Sequence, residues 1–270
     1  MIKSFFAGLG LCFAFSTCYG SALLVGIANQ NTFIINNEGS EQKVAIIGQP
    51  ISYCKQSDFV QWAKTNLIGK SIGVQGNQLL ILINSQWFSL QELLVRNGYI
   101  YEPSLVDAQE VAAAERRGEW ACAAKDAIFN LILNDRDQAK IVAAIAMNES
   151  KYKGYPWPWT INVNGKSMYF KSREDAYQEI LKQMKGGASS IDIGLTQINW
   201  KYHSHYFSSP WDALQPSKNI LVSQMILKNL QQKFGSWGQA IRCYHDCVNP
   251  SRGGKYLNDF SKQYAEITNF

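Results

Sequence analysis

Two hydrophobic patterns divide the chain. Up to about residue 122 the apolar residues come in short runs separated by Asn, Gly and Pro, the pattern of short β-strands and tight turns. The runs predict strands over Leu24–Ile35, Lys43–Gly48, Ser71–Gln75 and Leu79–Ile83. Helices are predicted over Phe59–Leu67 and Leu105–Arg116, the second behind Pro103-Ser104. No internal repeat is visible. Beyond a junction at Cys122–Lys125 the pattern is mainly helical. There Asn219–Phe234, with Ile220, Met225, Ile226, Leu227 and Leu230, predicts an amphipathic helix facing a core. The expected organisation is α+β in two domains, 23–122 and 126–270, behind a leader of residues 1–22.

One helix carries a chemical candidate. Asp137–Ser150 reads as helical, with Asn134 or Asp135 available as its N-cap. Ile141, Ile145 and Glu149 lie at i, i+4 and i+8, so a carboxylate continues an apolar stripe at its C-terminal end. Partial burial and the negative end of the helix dipole both disfavour an ionised carboxylate there. They raise its pKa above the ordinary value of about 4.3. Such a glutamate can keep a proton near neutral pH and act as a general acid. The alternative is that the helix simply ends and Glu149 turns into water.

Composition fits a folded globular chain, with 46% hydrophobic and 17% charged residues. The basic excess sits in the second half: residues 126–270 hold 17 Lys+Arg against 12 Asp+Glu, whereas 23–125 hold 8 against 9. That suits an anionic polymer or surface, and equally an ordinary solvated face. The first 22 residues read as a secretion signal, with Lys3, an apolar run of 11 residues over Phe5–Phe15, and the small residues Gly20-Ser21-Ala22 before a cut. The run is too short for a stable membrane span. The expected location is the periplasm.

A cut after Ala22 leaves Cys54, Cys122, Cys243 and Cys247. An even number in an exported chain points to disulfides, and four cysteines allow three pairings. Cys54–Cys122 with Cys243–Cys247 is favoured because each pair stays within one half. Cys243-Tyr-His-Asp-Cys247 also resembles a metal site, but His203 and His205 are the only histidines besides His245, and a structural zinc usually takes four N or S donors. No metal and no cofactor are expected.

Leu93–Tyr99, Ala108–Ala114 and Gly118-Glu119-Trp120 together resemble the tail of the staphylococcal-nuclease-like family. The resemblance implies a small OB-type β-barrel with helices for residues 23–122. It does not carry the family's chemistry. The metal-binding Asp-Gly-Asp-Thr stands here as Asn29-Gln30-Asn31-Thr32, and the following Arg, Asp and Glu positions fall on Ala45–Ser52, without arginine or carboxylate. The later catalytic arginine has no counterpart between Leu79 and Trp87. A hard cation has no carboxylate ligands there. The implied domain is a nuclease-like barrel without catalysis, and no nucleic-acid partner is expected.

In the second half, Asn148-Glu149-Ser150, then Gly194-Leu195-Thr196-Gln197-Ile198, then Ala240-Ile241-Arg242-Cys243-Tyr244-His245 stand in order. The set resembles the soluble-lytic-transglycosylase family, whose pattern is Glu-Ser, Gly-Leu-Met-Gln-Ile and Ala-Tyr-Asn. Thr196 replaces the Met and His245 the Asn. Tyr155–Val163 and Tyr202-His203 are typical of a branch found with envelope-spanning secretion and conjugation systems. The resemblance covers about residues 126–265 and implies a mainly α, lysozyme-like domain that cleaves peptidoglycan glycan strands.

On this resemblance Glu149 is the catalytic acid. It protonates the glycosidic oxygen, then takes the proton of the muramic C6 hydroxyl, and a 1,6-anhydro sugar forms. Ser150 and Tyr244 fall on motif positions and are expected at the substrate. Gln197 and Asn199 can hydrogen-bond N-acetyl groups or cap the following turn. Tyr155 and Trp157, in an extended Pro-rich segment, can stack on sugar faces or cover the core. Asp192 and Asp246 are the nearest further carboxylates. The readings set beside this one are a lysozyme-like hydrolase, a non-catalytic glycan-binding module and a nuclease.

Overall fold

The computed structural model describes residues 18–56 and 58–268. Residues 1–17, which hold most of the expected leader, lie outside the described residues. The fold is mixed α+β, and its contacts divide it into two compact units between Ala123 and Ala124.

The first unit is built on antiparallel strands: β1 (Cys18–Asn29), β2 (Thr32–Asn37), β3 (Ser40–Ala45), β4 (Gln49–Pro50), β5 (Ser71–Gln75), β6 (Gln78–Ile83), β7 (Gln86–Ser89) and β8 (Ile100–Tyr101). Three helices join them: α1 (Phe59–Asn66), α2 (Leu90–Arg96) and α3 (Val106–Ala114). Six strands form one sheet in the order β3-β2-β1-β5-β6-β7, and β4 and β8 pair apart from it. One face of the sheet carries Leu24, Phe33, Ile72 and Ile81 into a core shared with Phe59, Ala63, Leu90 and Leu94 of α1 and α2. On the other face Leu23 and Val25 stay exposed.

The strand predicted over Leu24–Ile35 is in fact a hairpin. Its turn, at Gln30 and Asn31, is polar and pairs Asn29 with Thr32. β1 begins inside the expected leader: Ala22 is buried and pairs with Ile72. The expected barrel is not closed among the described residues, where β3 and β7 are free edges of the sheet. The β4–β8 ladder is two residues long, and Pro50 has no N–H to extend it.

In the second unit α4 (Ala127–Leu133) and α5 (Arg136–Glu149) are followed by the short strands β9 (Lys151–Tyr152), β10 (Tyr155–Pro156), β11 (Thr160–Val163) and β12 (Lys166–Tyr169). Then come α6 (Arg173–Lys185), β13 (Ile191–Ile193), β14 (Ile198–Asn199), α7 (Trp200–His203), α8 (Pro210–Ala213), α9 (Pro216–Phe234), α10 (Trp237–His245) and α11 (Pro250–Thr268). α5 is the central helix. Val142, Ala143, Ala144, Ile145 and Ala146 are all buried, so it is apolar around its whole circumference. Its alanines make it thin, and α4, α9 and α11 pack against it. Among the described residues no helix is long and apolar enough to cross a membrane.

The mainly helical expectation for this unit needs one correction. A four-stranded antiparallel sheet, β12-β11-β13-β14, stands beside the helices. Its strands have two to four residues, too few for an alternating pattern to register. The cysteines pair as Cys54–Cys122 and Cys243–Cys247, the favoured pairing.

Candidate active site

The site starts at the end of α5. Asp135 caps the helix, its side chain accepting a hydrogen bond from Gln138 N at 3.1 Å. Fourteen residues later the helix ends at Glu149, which lines a groove of about 510 Å³. Asp192, Gln197, Asn199, Tyr244 and His245 share that groove. The three sequence motifs therefore converge on one place. Among the described residues no Lys or Arg lines it.

The second motif forms the wall. Gly194 and Gln197 both sit in the left-handed region, at φ 84° and 49°. A Cβ on Gly194 would lie 2.5 Å from the Asn219 amide nitrogen, so the position excludes any side chain. Asn219 is fully buried, and its amide uses both ends. Oδ1 accepts from Thr196 N at 3.0 Å and from Thr196 Oγ1 at 2.8 Å. Nδ2 donates to Ile193 O at 2.9 Å and Ala213 O at 3.1 Å. The Gln197 amide donates to Thr160 O at 3.0 Å and Gly194 O at 2.8 Å, which leaves its oxygen for the groove. Tyr244 donates from its hydroxyl to Thr196 O at 2.9 Å, tying α10 to the same turn.

Ser150 does not reach the groove. It is fully buried, and its hydroxyl donates to Leu195 O at 2.6 Å and lies 3.1 Å from Ala146 O. Its place corrects the expectation of a substrate contact: it ties the end of α5 to the wall. Tyr155 and Trp157 are corrected likewise, since neither lines the groove. Trp157 donates from its indole to Phe170 O at 2.7 Å and stands edge-on to Trp159 and Tyr152, at 5.5 and 5.6 Å between ring centres. Next to an extended segment these aromatics satisfied one another before they could face a sugar. Asn199 takes the capping role of the two weighed for it, and its amide nitrogen is held inside the protein. Its oxygen accepts from Lys201 N at 3.1 Å as the cap of α7, and its Nδ2 donates to Asp192 at 2.6 Å and Ser190 at 2.8 Å.

Burial pushes the Glu149 carboxyl up from 4.5 to about 7. The Tyr256 hydroxyl opposes this by favouring the carboxylate, and the nearby Asp192 charge reinforces it. Tyr256 comes from α11, where its hydroxyl is buried and, among the described residues, has no partner in close hydrogen-bond geometry. His245 stacks on the Tyr256 ring at 4.6 Å and 3°. Burial lowers the His245 pKa, so its ring is neutral around pH 7. Burial also raises Asp192, against the Asn199 hydrogen bond, which lowers it.

Sequence reasoning missed Tyr256 and the β-hairpin residues Asn162 and Ser167, which also line the groove. The stripe Tyr256, Phe260, Ile267 at helical spacing is the signal that could have brought α11 to α5. Among the described residues no group of three His, Cys, Asp or Glu could hold a metal ion. Compared with family models, curated proteins and solved structures, the chain gave no match.

Proposed function

We propose that the protein is a peptidoglycan lytic transglycosylase that cleaves the β-1,4 bond between the muramic and glucosamine sugars. The observation that carries this reading is Glu149: a carboxyl protonated near pH 7, at the end of a buried helix, facing an open groove. A groove lined by amides, hydroxyls, two carboxylates and two histidines, with no Lys or Arg among the described residues, suits a glycan of many hydroxyls better than a polyphosphate. In this reaction Glu149 gives its proton to the glycosidic oxygen as the C1–O bond breaks. The resulting carboxylate takes the C6 hydroxyl proton, and O6 closes on C1. One residue serves both steps and no water is consumed.

The rest of the proposal follows the sequence resemblances. The chain is exported to the periplasm, an oxidising compartment in which its two disulfides are stable. It opens the wall for an envelope-spanning secretion or conjugation apparatus. The first unit is an OB-related, nuclease-like module without chemistry, serving to dock or space the enzyme. Its motif positions support that role: Asn31 Nδ2 donates to Gly48 O at 2.8 Å and Gln30 Nε2 to Ile51 O at 2.5 Å, so they pin backbone.

The test is digestion of purified peptidoglycan by the wild type and Glu149→Gln, with mass spectrometry of the products. Release of 1,6-anhydro ends by the wild type alone is the expected result. A second reading, a hydrolase, is favoured by Asp192 in the same groove, because two carboxylates can divide acid and base roles. Reducing ends in place of anhydro ends would select it.

A further inference from the structure

The acid proposed above has company that its motif does not supply. Asp192 stands two residues before Gly194, on β13, and is half-buried at the groove. The β13–β14 register sets it opposite Asn199. Asn199 Nδ2 holds Asp192 Oδ1 at 2.6 Å, and also donates to Ser190 Oγ at 2.8 Å. The carboxylate therefore has one oxygen fixed from behind and its second oxygen without a protein donor among the described residues. A fixed, half-buried charge with one free oxygen is what a groove needs to act on a cationic centre without moving.

We propose that Asp192 is a second working carboxylate of this groove, a fixed negative charge facing the sugar as its anomeric carbon becomes cationic. The inference rests on the lytic transglycosylase reading and adds a residue to it. Breaking the C1–O bond leaves positive charge on C1 and the ring oxygen. Glu149 enters that step as a neutral acid and leaves it as a carboxylate. Among the described residues Asp192 is the other carboxylate lining the groove, and it exchanges no proton in that step. It does not bond to C1 and takes no proton, so O6 remains the nucleophile and the products are unchanged.

The charges around it agree with that role. Asp192 acts electrostatically on Glu149 from α5 and on His245 and Tyr244 from α10. His245 also feels Asp246, Arg252 and Lys255, and burial keeps it neutral, so near pH 7 no histidine cation cancels the Asp192 charge.

Two variants and two readouts test the proposal. Asp192→Asn keeps the shape and a hydrogen bond to Asn199 but removes the charge; Asp192→Glu keeps the charge. For anhydro-product release we expect kcat to fall roughly 10- to 100-fold in Asp192→Asn with KM changed by less than about threefold, because the charge is felt mainly in the transition state. Asp192→Glu recovers part of the rate. The second readout is the carboxyl titration of Glu149 by NMR in the intact protein, which needs no turnover. In Asp192→Asn it moves down by roughly one pH unit, the direction expected when a like charge is removed. An unchanged titration overturns the proposal, even if the wild type cuts no glycan and the parent reading has failed. An unchanged kcat overturns it as well. Loss of reducing-end products alone would instead make Asp192 a water-activating base.

Discussion

Each unit buries a glutamate at a turn beside a helix end, and the two do opposite things. In the first, Glu119 is fully buried, and one of its oxygens accepts from Tyr53 N at 3.0 Å and Cys54 N at 2.9 Å. These two backbone N–H groups hold the side chain inward, next to the Cys54–Cys122 bridge. In the second, Glu149 faces a groove and receives no backbone donor among the described residues. Burial alone does not make a carboxyl reactive. What decides is whether the fold supplies donors to the ionised form or leaves that form exposed to a ligand.

That contrast can be broken directly. The largest effect expected is on Glu149→Gln: cleavage of peptidoglycan falls by roughly 10³-fold or more, while the melting temperature holds or rises, since a desolvated carboxyl has become an amide of the same shape. Next is the bridge beside Glu119. Replacing Cys54 and Cys122 by Ser opens a loop with a sequence separation of 68. Denaturant unfolding should register about 4 kcal/mol of lost stability. Glu119→Gln follows, at roughly 2 kcal/mol, because the shared acceptor of the Tyr53 and Cys54 N–H groups is replaced. It should leave the activity of the folded protein unchanged. If Glu119→Gln instead removed cleavage at full stability, the division of roles between the two glutamates would be wrong.

A pH series sharpens the same point. Glu149 goes from an ordinary carboxyl when unfolded to one that titrates at about 7 when folded. The folded state therefore binds more protons than the unfolded state between about 4.5 and 7. Stability due to this group is full at acid pH and falls as pH rises through that window. The residue keeps a solvated edge on the groove, so the loss is on the order of 2 kcal/mol by the usual conversion. Glu149→Gln should flatten that part of the curve. The smallest effect expected is that of Ser150→Ala, about 1 kcal/mol for the lost bond to Leu195 O, with a modest fall in kcat as the wall loosens.

Much of this was legible in the chain. Asp135 as cap and the helix ending at Glu149 rest on short-range chemistry that sequence carries, the cysteine pairing on keeping each bridge within one half, and the grouping of the three motifs on the family resemblance. The hairpin inside Leu24–Ile35 was missed because a two-residue polar turn interrupts little of an apolar run. Ser150 was misplaced because adjacency to Glu149 says nothing about direction: its Cβ lies a helical step away, toward the Leu195 carbonyl. The stripe through Tyr256 marks a buried face of α11, but only the packing of α11 on α5 brings its hydroxyl to the carboxyl.

The buried amide of Asn219 has a consequence for how this chain can vary. Its four hydrogen-bonding positions are all taken, two of them by Thr196. The methionine of the resembling motif, placed at 196, would remove one donor and push a longer chain against a polar buried group. A leucine or alanine at 219 would strand Thr196 in turn. Positions 196 and 219 are thus one physical unit of this wall: an apolar residue at either leaves buried polar groups of the other without partners.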